Sequence, residues 1–183
     1  MRRVRYSVAM SLDGYIAGPN GEHDWIIMDP AIDFKALFQS FDTVLLGRRT
    51  FEASRAMGGN GGMPGMTAYV VSRTLRPEDF PGVNILSDAS SAIPALQAQP
   101  GKDIWLMGGG GLFRSLLEAG LVDTVEVAVI PVMLGQGIPL LPGLAGRARL
   151  ELTGTQTYPT GIVSLNYSVQ KAAEKTKKRK KAA

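Results

Sequence analysis

The stretch WLMGGGGLF at residues 105–113 decides the fold, because an apolar strand pattern runs directly into four glycines and then into a helical pattern. LLGRRTFE at residues 45–52 repeats the order of apolar strand, glycine and helix start. A helix N-terminus presents unpaired N–H groups and a partial positive charge, and glycine lets an anion approach the backbone. Ligands of open parallel sheets bind beyond the carboxyl ends of the strands. We therefore expect the chain reversals at Gly47 and Gly108 to lie side by side and to bind phosphate.

The rest of the chain alternates short apolar runs with helical patterns, which is typical of an α/β domain. Strands are predicted at residues 4–11, 43–46, 67–72, 83–87, 103–107 and 122–134, and Pro131 indicates an edge or the end of the last strand. Helices are predicted after Asp29-Pro30, with Asp29 as the N-cap, and at residues 47–57, 90–99 and 112–120. Alternation on either side of Pro159-Thr160-Gly161 predicts a C-terminal β-hairpin. The sequence thus predicts one domain, residues 1–170, with a mostly parallel sheet, helices on both faces and an antiparallel edge.

The composition excludes several kinds of site. The 183 residues include no cysteine and one histidine, His23, which falls in a Gly/Pro-rich loop at residues 17–25. Disulfides, cysteine-ligated metals and multi-histidine sites are therefore excluded, and we expect no metal. No apolar run approaches the ~20 residues of a membrane span, and the N-terminus has the pattern of a first strand rather than of a signal peptide. We expect a cytoplasmic protein without a membrane segment.

The net charge of +4 comes from the last residues, because 171–183 hold seven of the twenty basic residues and one of the sixteen acidic ones. Such a tail is too charged to join a core, and we expect it to be disordered. It contains no aromatic residue to stack on bases. Nucleic acid is therefore not an expected partner, apart from weak, salt-dependent contacts of this tail.

Three arginines follow predicted strand ends: Arg48 and Arg49 after the first glycine turn, and Arg73 after residues 67–72. NADP carries a 2′-phosphate that NAD lacks, and guanidinium groups pair well with phosphate. The alternative is that these arginines are solvated surface charges. The pattern favours NADPH as the cofactor.

Five motifs in this order resemble the dihydrofolate reductase-like superfamily: SLDGYIAG (11–18), LLGRRTFE (45–52), VVSRTL (70–75), WLMGGGG (105–111) and VDTVEVAVIPVMLGQGIPLL (122–141). The pattern is most similar to the reductase domain at the C-terminus of the bifunctional riboflavin-pathway deaminase–reductase and to its stand-alone relatives. The resemblance implies an eight-stranded, mostly parallel sheet, bound NADPH and riboflavin-type reductase chemistry. We expect no zinc deaminase half, since these 183 residues have neither the length nor any cysteine for it. That difference puts the riboflavin-pathway role in doubt.

The resemblance also assigns cofactor contacts. The first glycine turn would contact the phosphates, through Gly47, Arg48, Arg49 and Thr50. The VVSRT strand end would flank the adenosine and its 2′-phosphate, through Val71, Ser72 and Arg73. The glycine run would hold the diphosphate, through Gly108, Gly109, Gly110, Gly111 and Leu112. The nicotinamide would be bordered by Ala9, Ile16 and Ala17.

A reductase of a small heterocycle, such as a pterin or a pyrimidine, also needs a proton, and carboxylates near the nicotinamide are the candidates. Asp13 and Asp33 are the predicted catalytic residues, although Asp13 could be only a turn residue and Asp33 only a surface charge. Asp29 competes for the role, with a helix cap as its simpler interpretation. Trp25 and Phe34 are predicted to contact the substrate, and Trp25 could instead anchor the core.

Two further points stay open in the sequence. A non-catalytic nucleotide-binding protein on the same scaffold is the alternative to a reductase, because no proton donor stands out. The apolar segment at residues 129–144 suggests a homodimer, but it is equally compatible with a buried strand and loop. The identity of the substrate depends on the shape of the pocket, which no local motif encodes.

Overall fold

The fold is described here from a computed structural model, which describes residues 1–59 and 61–171. The predictions for the basic tail lie outside these residues, apart from Lys171. The described residues form ten strands, which are β1 (Val4–Ser11), β2 (Tyr15–Ala17), β3 (Phe41–Gly47), β4 (Thr67–Val71), β5 (Asn84–Leu86), β6 (Asp103–Gly108), β7 (Thr124–Ile130), β8 (Ile138–Pro139), β9 (Arg149–Thr157) and β10 (Val163–Gln170). Four helices lie between them, α1 (Phe34–Gln39), α2 (Arg48–Ala56), α3 (Ala89–Ala98) and α4 (Gly110–Glu118).

Eight of the strands form one sheet in the order β5-β4-β3-β6-β1-β7-β10-β9. Neighbouring strands from β5 through β7 are all parallel, whereas β10 is antiparallel to both β7 and β9. The predicted parallel sheet with an antiparallel hairpin at its edge is therefore confirmed. A separate sheet of β2 and β8, which the sequence did not predict, joins two segments that follow the carboxyl ends of β1 and β7.

Helices cover both faces of the sheet, as predicted. One face packs side chains such as Tyr6, Leu45 and Leu106 against α3 and α4. The alternate side chains of the same strands, such as Val44 and Leu46, pack against Phe51 of α2 on the other face. This alternation follows from the two-residue repeat of a β-strand, which sends neighbouring side chains to opposite faces.

Three predicted boundaries were wrong. α1 begins after Asp33, not after Asp29, because the Asp29 carboxylate accepts hydrogen bonds from Ala31 and Thr160 instead of capping a helix. α4 begins at Gly110, so that two glycines of the run are helical. β7 ends at Ile130, short of the predicted residue 134 but directly before Pro131, which the sequence indicated as an edge or the end of the strand.

Within the part of the chain that the structure describes, the helices are too short or too polar to span a bilayer.

Candidate active site

The two glycine turns adjoin at the carboxyl edge of the sheet. Strands β3 and β6 are parallel neighbours, and Leu46 pairs in register with Gly108. A Cβ placed on Gly47 would lie 3.7 Å from the carbonyl oxygen of Gly108 and 3.6 Å from the Cβ of Leu112. The sequence prediction that these reversals lie side by side is confirmed.

The two helices that start at this junction have open N-termini. α2 and α4 are capped by Gly47 and Gly109, and neither cap provides a side-chain hydrogen bond. By contrast, the N-cap carboxylates Asp33 and Asp88 accept backbone N–H groups at the starts of α1 and α3. The N–H groups of the first turns of α2 and α4 are therefore free of a side-chain cap where they meet, and their dipoles favour an anion.

Glycine is required at the junction for two different reasons. Gly108 has a φ of +134°, a conformation that side chains rarely adopt, and its peptide bond to Gly109 is cis. A Cβ on Gly110 would lie 2.7 Å from the carbonyl oxygen of Pro139 and 2.9 Å from that of Leu140. The segment that carries β8 therefore passes directly against the first turn of α4, and it brings the β2–β8 sheet to the same edge.

The end of β4 completes this edge. Val71 of β4 pairs with Gly47 of β3. The residues predicted to flank the adenosine, Val71, Ser72 and Arg73, therefore lie beside the first glycine turn. The Ser72 hydroxyl accepts the N–H groups of Thr74 and Leu75 at 3.2 and 3.1 Å, which turns the chain immediately after the strand. The edge thus brings together the predicted cofactor residues of β2, β4, α2 and α4.

The arginines at this edge differ in their partners. Arg48 forms an ion pair with Glu52 at 3.1 Å, one turn along α2. Arg49 and Arg73 are exposed and form no ion pair with any of the residues 1–59 and 61–171. Two of the three predicted phosphate-binding arginines are therefore available to a ligand.

A cavity of about 750 Å³ adjoins this edge, between α1 and the C-terminal hairpin. Its floor consists of alternate side chains of β1 and β7, which are Arg5, Ser7, Ala9, Thr124, Glu126 and Ala128. Met107 lines the cavity directly before Gly108, and Ala9, a predicted nicotinamide contact, lines the same region. A ligand in this cavity would therefore lie next to the glycine junction.

The walls of the cavity differ in polarity. The α1 side is apolar and aromatic, with Phe34, Leu37 and Phe38 facing Trp105, whose ring centroid lies 5.4 Å from that of Phe38. The hairpin side is polar and contributes Gln156, Tyr158, Ser164 and Asn166. The cavity therefore suits a flat ring with hydrogen-bonding groups along one edge.

An ion pair occupies the floor of the cavity at its far end. Arg5 donates from Nε and Nη2 to the two carboxylate oxygens of Glu126 at 2.7 and 2.8 Å, and its guanidinium lies 4.6 Å from the Phe41 ring centroid. Burial alone would lower the pKa of Arg5, but the Glu126 bond and the charges of Glu126 and Asp103 outweigh it and raise the pKa. Arg5 therefore stays charged and paired.

Of the two predicted catalytic carboxylates, Asp33 lines the cavity and Asp13 does not. Asp33 lines the cavity beside Phe34, and its Oδ1 accepts the N–H of Ala36 at 2.8 Å as the cap of α1. No bond to its Oδ2 from the described residues is present, so this oxygen is available to a ligand. The sequence anticipated a site role for Asp33 but not its role as the helix cap.

Asp13 lies outside the cavity lining and holds two loops together. Its carboxylate accepts the Ser11 hydroxyl at 2.7 Å and the N–H groups of Leu134 and Gly135 at 3.1 and 2.7 Å. These bonds, the Ser11 bond first, lower its pKa despite partial desolvation. A carboxyl group with a lowered pKa is a poor proton donor, so this placement weighs against the predicted catalytic role.

Asp29, which the sequence interpreted as a helix cap, ties the loop before α1 to the turn of the hairpin. It is only 2% exposed, and its Oδ2 accepts the N–H and the hydroxyl of Thr160 at 3.0 and 2.7 Å. Trp25 lies in the same loop outside the cavity lining, where its Nε1 donates to the Glu22 carbonyl oxygen at 3.1 Å. His23 is exposed in this loop, as predicted.

Sequence reasoning missed the floor of the cavity. Arg5 and Glu126 were not singled out, yet the polar residues at alternate positions of β1 and β7 carry a detectable signal. Buried central strands of parallel sheets are usually apolar throughout. Polar side chains at every second position of two such strands therefore indicate a ligand-facing surface.

Comparisons with known proteins agree with this geometry. A family model of the RibD C-terminal domain matches residues 2–164 of the chain. The chain is 34% identical over 177 residues to the uncharacterized protein YyaP of Bacillus subtilis (strain 168), across 91% of this chain and 94% of that protein.

Two solved structures share the fold. Dihydrofolate reductase of Enterococcus faecalis, complexed with NADP(H), matches with a TM-score of 0.70 at 20% identity, across 92% of this chain and 97% of that one. The diaminohydroxyphosphoribosylaminopyrimidine deaminase/5-amino-6-(5-phosphoribosylamino)uracil reductase of Thermotoga maritima matches with a TM-score of 0.66 at 18% identity, across 92% of this chain and 57% of that one. The predicted dihydrofolate reductase-like fold is confirmed.

Proposed function

This chain belongs to the RibD C-terminal domain family, and on that premise we propose that it is an NADPH-dependent reductase of a small pterin- or pyrimidine-like heterocycle. Family and fold point to an oxidoreductase of the RibD and dihydrofolate reductase type. The observation that carries the proposal is the junction at Gly47 and Gly108, where two helix N-termini without side-chain caps meet beside a cavity of about 750 Å³.

The junction fits a dinucleotide because it offers donors and space together. The first-turn N–H groups of α2 and α4 would bind the diphosphate, and the absence of a Cβ at Gly108 and Gly109 leaves the backbone approachable. Arg49 and Arg73 lie at the same edge and would pair with the 2′-phosphate. Ser72 and Thr50 would support the adenosine and phosphate positions beside them.

The chain's own residues position and polarise the substrate. When bound, the nicotinamide supplies the hydride, and the protein supplies placement and electrostatics. Ala9 and Met107 border the cavity where it meets the glycine junction, and their apolar side chains exclude water from that point. Phe34 and Trp105 hold a flat ring, and the free oxygen of Asp33 binds an N–H group of that ring or guides a proton to it.

The test measures cofactor preference with matched arginine variants. We expect Arg49→Gln and Arg73→Gln each to weaken NADPH binding about tenfold, with little effect on NADH, because each removes a cation from the 2′-phosphate. Arg149→Gln is the control, because Arg149 starts β9, the edge strand at the other end of the sheet from β3 and β4. Fluorescence titration gives the dissociation constants, and failure of the wild-type chain to bind NADPH would refute the proposal.

A reductase must also oxidise NADPH in the presence of its substrate, whereas a non-catalytic nucleotide-binding protein only binds NADPH. Oxidation of NADPH is followed at the absorbance of the reduced nicotinamide while dihydropterins and aminopyrimidines are added one at a time. We expect one of these classes to be reduced. Tight NADPH binding with no turnover in either class would favour the non-catalytic alternative.

The predicted homodimer and the predicted cytoplasmic location remain proposals. A homodimer is proposed, although Leu140, Leu141 and Leu144 of the segment at residues 129–144 pack against the chain's own core. Leu150 and Leu152 of the outer strand β9 are 43% and 54% exposed and offer another apolar contact surface. Light scattering measures the mass in solution. A cytoplasmic location is likewise proposed and is tested by cell fractionation.

A further inference from the structure

The cations that line the cavity are already paired. Among the described residues that line it, only Arg3 and Arg5 carry positive charge. Arg5 is bound to both carboxylate oxygens of Glu126, and its Nη1 donates to Ser40 at 3.0 Å. Arg3 donates to Asp103 from Nε and Nη2 at 3.0 and 2.6 Å. Neither guanidinium faces the cavity as a free cation.

The cavity lining carries as many negative charges as positive ones. Asp33 and Glu126 line the cavity with the two arginines, and Asp103 contacts both arginines from outside the lining. The helix N-terminus on the α1 side of the cavity is already occupied by the carboxylate of Asp33. An uncapped helix N-terminus would attract an anion, but the carboxylate of Asp33 gives the start of α1 a negative charge that repels one.

A phosphate group needs the opposite surroundings. It carries close to two negative charges near neutral pH, and its burial requires arginine or lysine side chains or free backbone N–H groups. The groups still available in this cavity are neutral or acidic, such as Ser7, Ser164, Asn166 and the free oxygen of Asp33. They match the N–H and carbonyl groups of an uncharged or cationic heterocycle.

We propose that the substrate of this chain is an unphosphorylated pyrimidine or pterin, and that the Arg5–Glu126 pair sets this specificity by keeping Arg5 from a phosphate. The inference rests on the proposed reductase function and narrows its substrate class. The proposed substrate differs from that of the Thermotoga maritima enzyme, which is named as the reductase of a phosphoribosyl compound.

The test compares ligands that differ only by a phosphate. The full chain is first saturated with NADP, so that phosphate cannot bind at the glycine junction. Calorimetry then measures two pairs: 5-amino-6-(5-phosphoribosylamino)uracil against its dephosphorylated form, and neopterin phosphate against neopterin. In at least one pair, we expect the unphosphorylated member to have a dissociation constant lower by a factor of about ten or more. In the other pair, the phosphorylated member should not bind more tightly than the unphosphorylated one.

Glu126→Gln tests the mechanism of this preference. Loss of the carboxylate charge frees Arg5, and we expect the ratio of the two affinities to move about tenfold towards the phosphorylated member. Glu78→Gln is the matched control, because Glu78 lies in the turn after β4 and outside the cavity lining. If Glu126→Gln folds and the ratio does not move, the Arg5–Glu126 pair does not set the specificity. If Glu126→Gln does not fold, the wild-type pairs still decide the substrate class.

A wild-type chain that prefers the phosphorylated member, binds both members of each pair equally, or binds neither member of either pair overturns the inference. If NADP binds under those conditions, the proposed reductase function survives that result. If NADP itself does not bind, the proposed function fails and the inference fails with it.

Discussion

Gly110 and Gly111 are neighbours in the first turn of α4, but their surroundings differ. A Cβ on Gly110 would lie 2.7 Å from the Pro139 carbonyl oxygen and 2.8 Å from Pro142 Cδ, whereas a Cβ on Gly111 would meet nothing within 4 Å. We expect Gly110→Ala to lower the free energy of unfolding by about 1–3 kcal/mol through overpacking. Gly111→Ala is expected to be neutral or to stabilise by up to about 1 kcal/mol. Denaturant unfolding compares them, and equal effects would contradict the close approach of residues 139–142 to α4.

Asp33 combines a cap and a candidate catalytic charge, and two substitutions separate them. Asparagine caps a helix about as well as aspartate, so Asp33→Asn is expected to change the free energy of unfolding by less than about 0.5 kcal/mol. The same variant should lower kcat/KM about 100-fold, because the carboxylate no longer acts on the substrate. Asp33→Ala should in addition cost about 1 kcal/mol of stability. Full activity of Asp33→Asn would assign Asp33 to the cap alone.

At the scale of elements, Asp29 fixes the loop before α1 to the hairpin turn. The Thr160 hydroxyl bond, together with backbone N–H groups of Ala31 and Thr160, lowers the pKa of Asp29 against its desolvation. The stabilisation is therefore fully present at pH values above the usual pKa of 3.8 and is lost as the pH falls through the lower folded-state pKa.

We therefore expect Asp29→Asn to be less stable than the wild type near neutral pH, with a difference that shrinks in acid. Denaturant unfolding from about pH 7 to about pH 3 measures this difference. Asp24→Asn is the control, because Asp24 is exposed in the same loop and forms no bond with the described residues. A difference for Asp29→Asn that stays constant over the whole range would show that its charge does not stabilise the loop.

The elements that the sequence predicts correctly are those with strong local signals. The apolar runs of β3 and β6 and the glycines that follow them define strand ends, and parallel pairing then places Gly47 beside Gly108. The start of α1 was misplaced, because Asp29 and Asp33 both have the local chemistry of a cap. Only the distant Thr160 decides between them, since it occupies the Asp29 carboxylate.

Non-local contacts also explain what was missed. The β2–β8 sheet pairs Tyr15 with Pro139, and neither segment has a strand pattern long enough to detect alone. Asp13 precedes a glycine and has the pattern of a turn, but its partners Leu134 and Gly135 are 121 and 122 residues away. Its bonds therefore depend on how the ends of β1 and β7 lie in the sheet.

At the scale of the whole molecule, one face of the sheet is covered by the apolar core and the other borders the cavity. The face under α3 and α4 is filled by a continuous apolar core, which includes Tyr6 and Phe113 with ring centroids 3.9 Å apart. The opposite face is filled only under α2, and it leaves the cavity between α1 and the hairpin. The rigid core thus holds β1, β6 and β7 in place, so that their other sides present a fixed surface to a ligand.

The cavity could not be predicted in detail because its lining comes from several elements that are far apart in the sequence. Sequence patterns show which strand positions face one side, but not how far α1 and the hairpin stand apart above them. That distance depends on contacts such as Phe38 against Trp105 and Asp29 with Thr160. The position of the two adjoining glycine turns depends only on strand pairing and on where the glycines fall, and it was therefore predictable.

The account depends most on one pyrophosphate binding to both glycine turns, and NADPH titration followed by backbone amide NMR tests this directly. The amide signals of residues 48–50 and of residues 110–112 should shift together and saturate with one shared dissociation constant. Shifts confined to one turn, shifts only at the opposite edge of the sheet, or no shifts at all would contradict the account.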